Sequence, residues 1–404
     1  MIKSSLNCDV IIIGGGVVGL SIAIALQESR ENLKIVITEK EERVILHASG
    51  RNSGVIHAGF YYSSESLKSK FCRLGNSELK KFCRDQKLPL LEIGKVVVAK
   101  NEDDVKRIAV LAERAQANGV DIDLLEEGKL PKYEPMAKTY EKFLWSPATA
   151  IAGPKDVGQA LERVFLERGG KILFNEKLLH IQGNTAVFAS GNVVGFKASV
   201  NSAGAGALAI ANKCGIGKEF GLLPVLGGYI STSKDNIPLR TMVYAAPHPL
   251  SPFLGIHFTP TLDNQIKIGP TAIPVLGSEQ YSVMDGFSPQ EMGSTLRALN
   301  TYVLGDPISA VKTLGNQLSQ ANLRSMVNAA SDLVPNTPEP KAWSRGKAGI
   351  RSQLVDLNKR EFVQDFVISE SPGVVHILNA VSPGWTSALP FGRYVVEEFL
   401  LSKI

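Results

Sequence analysis

One short segment limits the fold of this chain more than any other. Asp9-Val10-Ile11-Ile12-Ile13-Gly14-Gly15-Gly16-Val17-Val18-Gly19-Leu20 runs an apolar strand into a glycine turn, and the turn into a helix. Gly14, Gly16 and Gly19 stand at the G-x-G-x-x-G spacing of a dinucleotide-binding turn. The first glycine permits the tight turn, the second lets the backbone approach a pyrophosphate, and the third lets helix and strand pack closely. The pyrophosphate would rest on the unpaired N–H groups at the helix N-terminus.

Such a spacing alone is weak evidence, and its surroundings decide its meaning. Val10 to Ile13 is a continuous β-prone run, as in a parallel strand buried on both faces. Leu20 to Gln27 reads as a helix of small residues, and a second strand follows at Lys34 to Thr38. It ends in Glu39, 25 positions after Gly14, near the roughly 20-residue offset of a carboxylate that binds ribose hydroxyls. A carboxylate there repels a 2′-phosphate and disfavours NADP. With all four features in place, a ligand-free glycine turn is the weaker reading. Lys3 and the apolar run Val10 to Leu26 also resemble a targeting segment. That run is 17 residues, short of the roughly 20 that span a bilayer, and no A-x-A cleavage site follows it.

The 404 residues carry 44 basic and 39 acidic side chains, a net charge of +5. This mild excess suits an anionic substrate or an anionic membrane surface. No dense Lys/Arg block supports nucleic-acid binding. Cys8, Cys72, Cys83 and Cys214 form no C-x-x-C pair and have no metal spacing. They read as reduced thiols, and no metal is expected. The expected location is the cytoplasm, with peripheral contact at the inner face of a membrane as an option.

Further along, helices are predicted over Ser66 to Arg84, Glu102 to Asn118 and Pro154 to Arg168, and strands at Lys95 to Lys100 and Lys171 to Phe174. Another strand enters a Gly/Ala turn at Ala198 to Gly206. From about 218 to 345 the pattern changes to short β-rich runs: Gly228 to Thr232, Thr241 to Ala245, Leu254 to Thr259 and Gln265 to Ile268. Pro224, Pro238, Pro247, Pro249, Pro252, Pro260 and Pro270 punctuate them, which favours an antiparallel sheet. Helices at Pro289 to Val303 and Ala310 to Leu314, a strand at Val374 to Asn379 and a closing helix from Thr386 to Leu401 complete the reading. The fold class is α/β, or α+β overall: a Rossmann-type nucleotide domain and a mostly antiparallel substrate domain. The first is expected to comprise 1–85, 146–217 and 346–404, and the second 86–145 and 218–345.

Several motifs converge on one group of proteins. The glycine turn, Glu39, the loop His47-Ala48-Ser49-Gly50-Arg51-Asn52-Ser53-Gly54, the turn Asn201-Ser202-Ala203-Gly204 and Ser382-Pro383-Gly384 together resemble the D-amino-acid-oxidase-like FAD oxidoreductases. The likeness spans nearly the whole chain. Within that group, the extended loop His47 to Gly59 with Tyr61-Tyr62 resembles the L-2-hydroxyglutarate dehydrogenase/oxidase family. So do Pro252 to Pro260, Ile268-Gly269-Pro270 and Gly349-Ile350-Arg351-Ser352-Gln353-Leu354. The chain departs from the family pattern at Thr271, at Gly384-Trp385 and at Gly227-Gly228-Tyr229. These departures bear on the substrate more than on the flavin.

The resemblance implies non-covalent FAD held by Gly14, Gly16, Gly19, Glu39, Lys40, Ser49, Asn52, Ser53 and Gly204, with Gly384, Thr386 and Ser387 near the isoalloxazine. Arg51 is placed in the flavin loop, within reach of the pyrophosphate. Oxidation of an α-hydroxy acid needs a base for the hydroxyl proton and a cation for the carboxylate. His57 is the first base candidate and His257 the second, since an unperturbed imidazole titrates near 6.5. Arg351 is the carboxylate candidate, because guanidinium grips a carboxylate through two parallel hydrogen bonds. Tyr61, Tyr229 and Thr259 are candidates for a distal carboxylate. Against each stands an ordinary structural role: core histidine, surface ion pair, or Asn-Ser-Gly turn.

The expected reaction is oxidation of L-2-hydroxyglutarate to 2-oxoglutarate, with electrons passing from the flavin to a quinone or to oxygen. The alternatives are the same flavin machinery acting on an amino acid or glycerol 3-phosphate, a flavin- or NAD-binding module without turnover, and an NAD-dependent dehydrogenase.

Overall fold

The computed structural model describes residues 5–247, 255–282, 286 and 288–404. Val10–Ile13 forms a strand in which every residue is 4% exposed or less. It sits inside a six-stranded sheet ordered Lys171–Leu173, Ile35–Thr38, Val10–Ile13, Ala198–Asn201, Val374–Ile377, Ile368–Ser371. The first five strands are mutually parallel, and the last is an antiparallel edge. Burial on both faces explains why the central strands read as unbroken apolar runs.

One face of this sheet is covered by helices. The helix Val17–Ser29 packs against the late helix Gly384–Val395, which also packs on Leu67–Asp85. Their close approach is set by small residues: a Cβ at Gly75 would lie 2.0 Å from the Thr386 carbonyl oxygen. The other face carries a four-stranded layer ordered Ser5–Asn7, Val193–Gly195, Thr185–Phe188, Leu178–Gln182. It packs through Phe188 and Phe196 onto Ile11 and Val36.

The proline-rich region forms antiparallel sheet as its alternation predicts. An eight-stranded sheet runs Ser344–Arg345, Ile230–Ser233, Gln265–Gly269, His257–Pro260, Met242–Ala245, Lys95–Val98, Lys142–Ser146, Asp123–Glu126. Its one parallel pairing joins Met242–Ala245 to Lys95–Val98. A four-stranded sheet, Ile273–Pro274, Phe220–Gly227, Gly349–Asp356, Glu361–Phe362, is antiparallel throughout.

Several elements differ from expectation. The predicted strand from Leu254 begins at His257; Pro249, Pro252 and Leu254 lie outside the described residues. The short helix expected at Ala310 to Leu314 spans Pro307–Ser319, because Pro at its first position and the Asp306 cap start it earlier. The closing α-helix ends at Val395 and continues as a π-turn to Leu400. Among the described residues, no helix is long and apolar enough to cross a membrane.

Candidate active site

The carboxyl ends of the parallel strands open onto a cavity of about 890 Å³, where open α/β sheets place their ligands. Gly14, Glu39, Ser202 to Gly204 and Leu378 line one end, each at or just beyond the end of a strand. The loop His47 to Ser53 lines the middle. Tyr229, Tyr244 and His257 from the antiparallel sheet, and Arg351 from the four-stranded sheet, line the far end with His57 and Trp385.

The glycine end is shaped for close approach. Gly14 has φ +108°, and a Cβ there would lie 2.6 Å from the Ser202 carbonyl oxygen. A Cβ on Gly19 would lie 2.2 Å from the Gly14 carbonyl oxygen, so this glycine serves packing and is absent from the cavity wall. The helix starts at Val17 with no side-chain cap from Gly16, and Ser49 Oγ accepts the Val17 N–H at 3.0 Å. The Glu39 carboxylate accepts N–H groups from Gly15 (2.8 Å) and Glu41 (3.0 Å). Each oxygen retains a lone pair for a ribose hydroxyl. A helix start with no cap from its own N-cap glycine, a closely packed glycine backbone and a carboxylate at the second strand end fit the pyrophosphate and ribose of a dinucleotide.

Other predicted cofactor residues are partly committed within the protein. Lys40 lies on the wall, ion-paired to Glu279 and to Glu41. His47 bridges Tyr281 (2.7 Å) and Glu41 (2.9 Å). Glu41, His47 and Glu279 bring three possible metal-ligand atoms within 4.8 Å of one another. The Lys40 ammonium is already ion-paired to both carboxylates there, and we read the group as an ion-pair network. Arg51 donates to Leu46 O (3.0 Å) and Ala348 O (3.4 Å), and stacks 3.9 Å over Tyr281. It therefore braces the loop from the cavity edge. Asn52 makes the turn that its sequence also allowed, accepting from Gly54 N (2.8 Å) and donating to Ser49 O (2.8 Å). Ser53 and Tyr229 both lie on the wall. Gly204, at φ +55°, and Gly384 are on the wall.

Besides Gly19, four expected site residues do not line the cavity. Thr386 Oγ1 accepts the His57 N–H at 3.1 Å, so it positions His57 from behind. Ser387 is fully buried where this helix crosses Gly75. Tyr61 stacks on Phe60, away from the wall. Thr259 is 1% exposed and its hydroxyl has no hydrogen-bond partner among the described residues, so it packs behind the wall. Thr271, one of the departures from the family pattern, accepts the Gly228 N–H at 2.9 Å and so ties two departures together.

The far end is rich in nitrogen bases. Burial, then the nearby Lys95, His257 and Arg351 charges, lowers the His57 pKa to about 3. Burial likewise lowers that of His257 to about 3. Both imidazoles are neutral at physiological pH and offer lone pairs. His257 Nδ1 lies 2.8 Å from Gly255 O, so Nδ1 carries the proton and Nε2 is the acceptor. The His57 backbone is held between Thr386 and the Asn76 amide, which donates to its carbonyl at 3.1 Å. Tyr244 stacks 3.8 Å from His257. Lys95, Tyr244 and Tyr281 are the neighbours that sequence reasoning did not single out; Trp385 enters there only as a departure from the family pattern. Lys95 carried one signal: a lysine heading the apolar run Val96-Val97-Val98.

Comparison with known proteins agrees with this geometry. Residues 9–398 match a family described as FAD dependent oxidoreductase. The L-2-hydroxyglutarate dehydrogenase of Escherichia coli (strain K12) is 31% identical over 96% of this chain and 92% of that protein. The mitochondrial L-2-hydroxyglutarate dehydrogenase of Caenorhabditis briggsae is 32% identical, with the same two coverages. Among solved structures, the FAD-bound L-α-glycerophosphate oxidase of Mycoplasma pneumoniae superposes with a TM-score of 0.76 at 23% identity, covering 98% of this chain and 95% of that one. Glycine oxidase from Geobacillus kaustophilus gives 0.74 at 19% identity, covering 99% and 96%. At those identities the two structures speak to the fold alone.

Proposed function

The chain belongs to the FAD-dependent oxidoreductases and, within them, to the L-2-hydroxyglutarate dehydrogenase family, and from that membership we propose that it oxidises L-2-hydroxyglutarate to 2-oxoglutarate. One observation carries the reading: Arg351 shares the end of the cavity opposite the glycine turn with two neutral histidines. FAD, when bound, supplies the hydride acceptor. Gly14, Gly16, Glu39, Ser49 and Gly204 would hold it.

Arg351 grips the carboxylate next to the reacting carbon through paired hydrogen bonds. His57 takes the hydroxyl proton, its backbone fixed at both ends. His257 Nε2 orients the same hydroxyl, its tautomer set by Gly255. Aromatic walls exclude water and keep both imidazoles neutral until the proton arrives. Tyr229 contacts the distal portion of the substrate. Both His47 nitrogens are engaged elsewhere, which favours non-covalent flavin, released when the protein is denatured.

The test is anaerobic mixing of the yellow holoenzyme with L- and D-2-hydroxyglutarate, lactate, glycerol 3-phosphate and D-alanine. Rapid bleaching by L-2-hydroxyglutarate alone is expected; bleaching only by D-alanine or glycerol 3-phosphate would move the enzyme to another substrate class.

We assign 1–85, 146–217 and 346–404 to FAD binding and 86–145 and 218–345 to the substrate. The parallel sheet draws only on the first set, and the strand pair Phe220–Gly227 with Gly349–Asp356 joins the two. Separate hydrogen-exchange behaviour of the two sets would check the division. Electrons leave to a quinone or oxygen by this reading, and peripheral membrane contact is supported by exposed Leu304, Ile308, Val311 and Leu318. Ile308→Glu should reduce co-sedimentation with anionic vesicles; unchanged sedimentation would remove that contact.

A further inference from the structure

Lys95 heads a buried strand with its side chain fully enclosed, at 0% exposure. Its Nζ has no hydrogen-bond partner among the described residues. The rings of Phe60, Tyr61 and Tyr244 surround it, with centroids at 4.7, 4.6 and 4.6 Å. Tyr244 stacks on His257 and lies on the cavity wall, so one aromatic layer separates the amine from the substrate end.

The titratable groups around Lys95 come from five elements. They are Tyr61 after the strand Val55–Ile56, Cys72 on the helix Leu67–Asp85, Tyr244, His257 and His57, with Arg351 as the permanent cation beyond them. Burial raises the pKa of Tyr61, Tyr244 and Cys72, the last to about 12, so all three are neutral. None of these groups is a carboxylate. A buried cation normally has an ionic partner, because removal from water is costly; cation–π contacts replace only part of the lost hydration. A lysine held this way beside a ligand cavity, with no acid among its described neighbours, is suited to a charge that arrives with the ligand.

We propose that Lys95 is a specificity-determining residue, the internal counter-charge for the second carboxylate of the substrate. It acts across Tyr61 and Tyr244 without contact, so that the site favours a dicarboxylate over a monocarboxylate of the same chain length. This rests on reading the cavity as a hydroxy-acid site. Arg351 accounts for one negative charge and Lys95 for the other. Over about 8 Å at an effective dielectric of about 20, such an attraction changes affinity by roughly ten- to thirtyfold. Burial lowers the Lys95 pKa to about 7 in the free protein, so the effect is switchable by pH. The two histidines titrate well below that range and do not confuse it.

The experiment titrates holoenzyme with 2-oxoglutarate and with 2-oxopentanoate, following the flavin absorption band from pH 6 to 9. In the wild type, the preference for 2-oxoglutarate should be largest at pH 6 and fall at least tenfold by pH 9. Lys95→Met should abolish both the preference and its pH dependence, leaving 2-oxopentanoate affinity within about twofold. A preference that is flat with pH in the wild type, or equal weakening of both acids in Lys95→Met, overturns the proposal. If Lys95→Met does not load flavin, the wild-type pH series decides alone. A wild type that shows the pH-dependent preference but is reduced by no hydroxy acid would sink the hydroxyglutarate reading and leave the role of Lys95 standing. Binding of neither acid would overturn both.

Discussion

Arg351 and the two histidines divide the proposed chemistry between charge and proton transfer, and each owes its role to its surroundings. Arg351 is fixed by a strand whose register sets it opposite Val225. Arg351→Lys keeps the charge and loses the two-pronged geometry. We expect KM for L-2-hydroxyglutarate to rise about tenfold or more, in line with the loss of one charge-assisted hydrogen bond, with a smaller change in kcat. An unchanged KM would remove Arg351 from the carboxylate. His57 was legible in sequence only through the loop that contains it, since nothing in a lone histidine distinguishes a base from a core residue. Lys95 was not legible as a site residue. Its significance lies in Phe60, Tyr61 and Tyr244 closing over it, and Tyr244 reaches it through a parallel pairing between strands far apart in sequence.

At the scale of elements, the parallel sheet was readable because burial on both faces forces continuous apolar runs, and the glycine turn because each glycine answers a steric demand. The helix Leu323–Ser331 and the layer Leu178–Gln182, Thr185–Phe188 were not read. The second consists of strands with mixed burial that pair with each other and with Val193–Gly195, which in turn pairs with the distant Ser5–Asn7. The expected flavin contacts at Thr386 and Ser387 moved behind the wall because their helix turns that face toward Gly75. This crossing makes a direct test. Gly75→Ala places a methyl against backbone atoms of Thr386 and should cost about 1–3 kcal/mol of stability by overpacking. It should also slow flavin reduction, because Thr386 holds His57. Gly128→Ala meets nothing within 4 Å and should change neither. Equal behaviour of the two variants in thermal denaturation and reduction rate would contradict the positioning role of Thr386.

For the whole molecule, the concentration of bases in a dry interior carries an energetic consequence. His57 and His257 are held near 3 and buried His376 near 4, whereas in the unfolded chain each titrates near about 6.5. Between these values the unfolded chain binds protons that the fold excludes, so stability is lost as pH falls from about 6.5 toward 4. Lys95, held near 7 in the fold, adds a loss in the same direction as pH falls from about 10.5 to 7. At pH 5 the cost is about 2 kcal/mol for each of His57 and His257. The denaturant midpoint should therefore be lower at pH 5 than at pH 7. A flat profile between them would mean that these histidines are not held neutral. The same arrangement, neutral bases beside a fixed guanidinium at one end of a dinucleotide cavity, is what the proposed activity requires. Its most direct test is the rate of flavin bleaching when anaerobic holoenzyme meets L-2-hydroxyglutarate and, separately, its D enantiomer. The account predicts fast, saturable bleaching by the L form, with 2-oxoglutarate as product, and little by the D form. A flavin that stays oxidised with the L form, or is reduced equally by both, would contradict it.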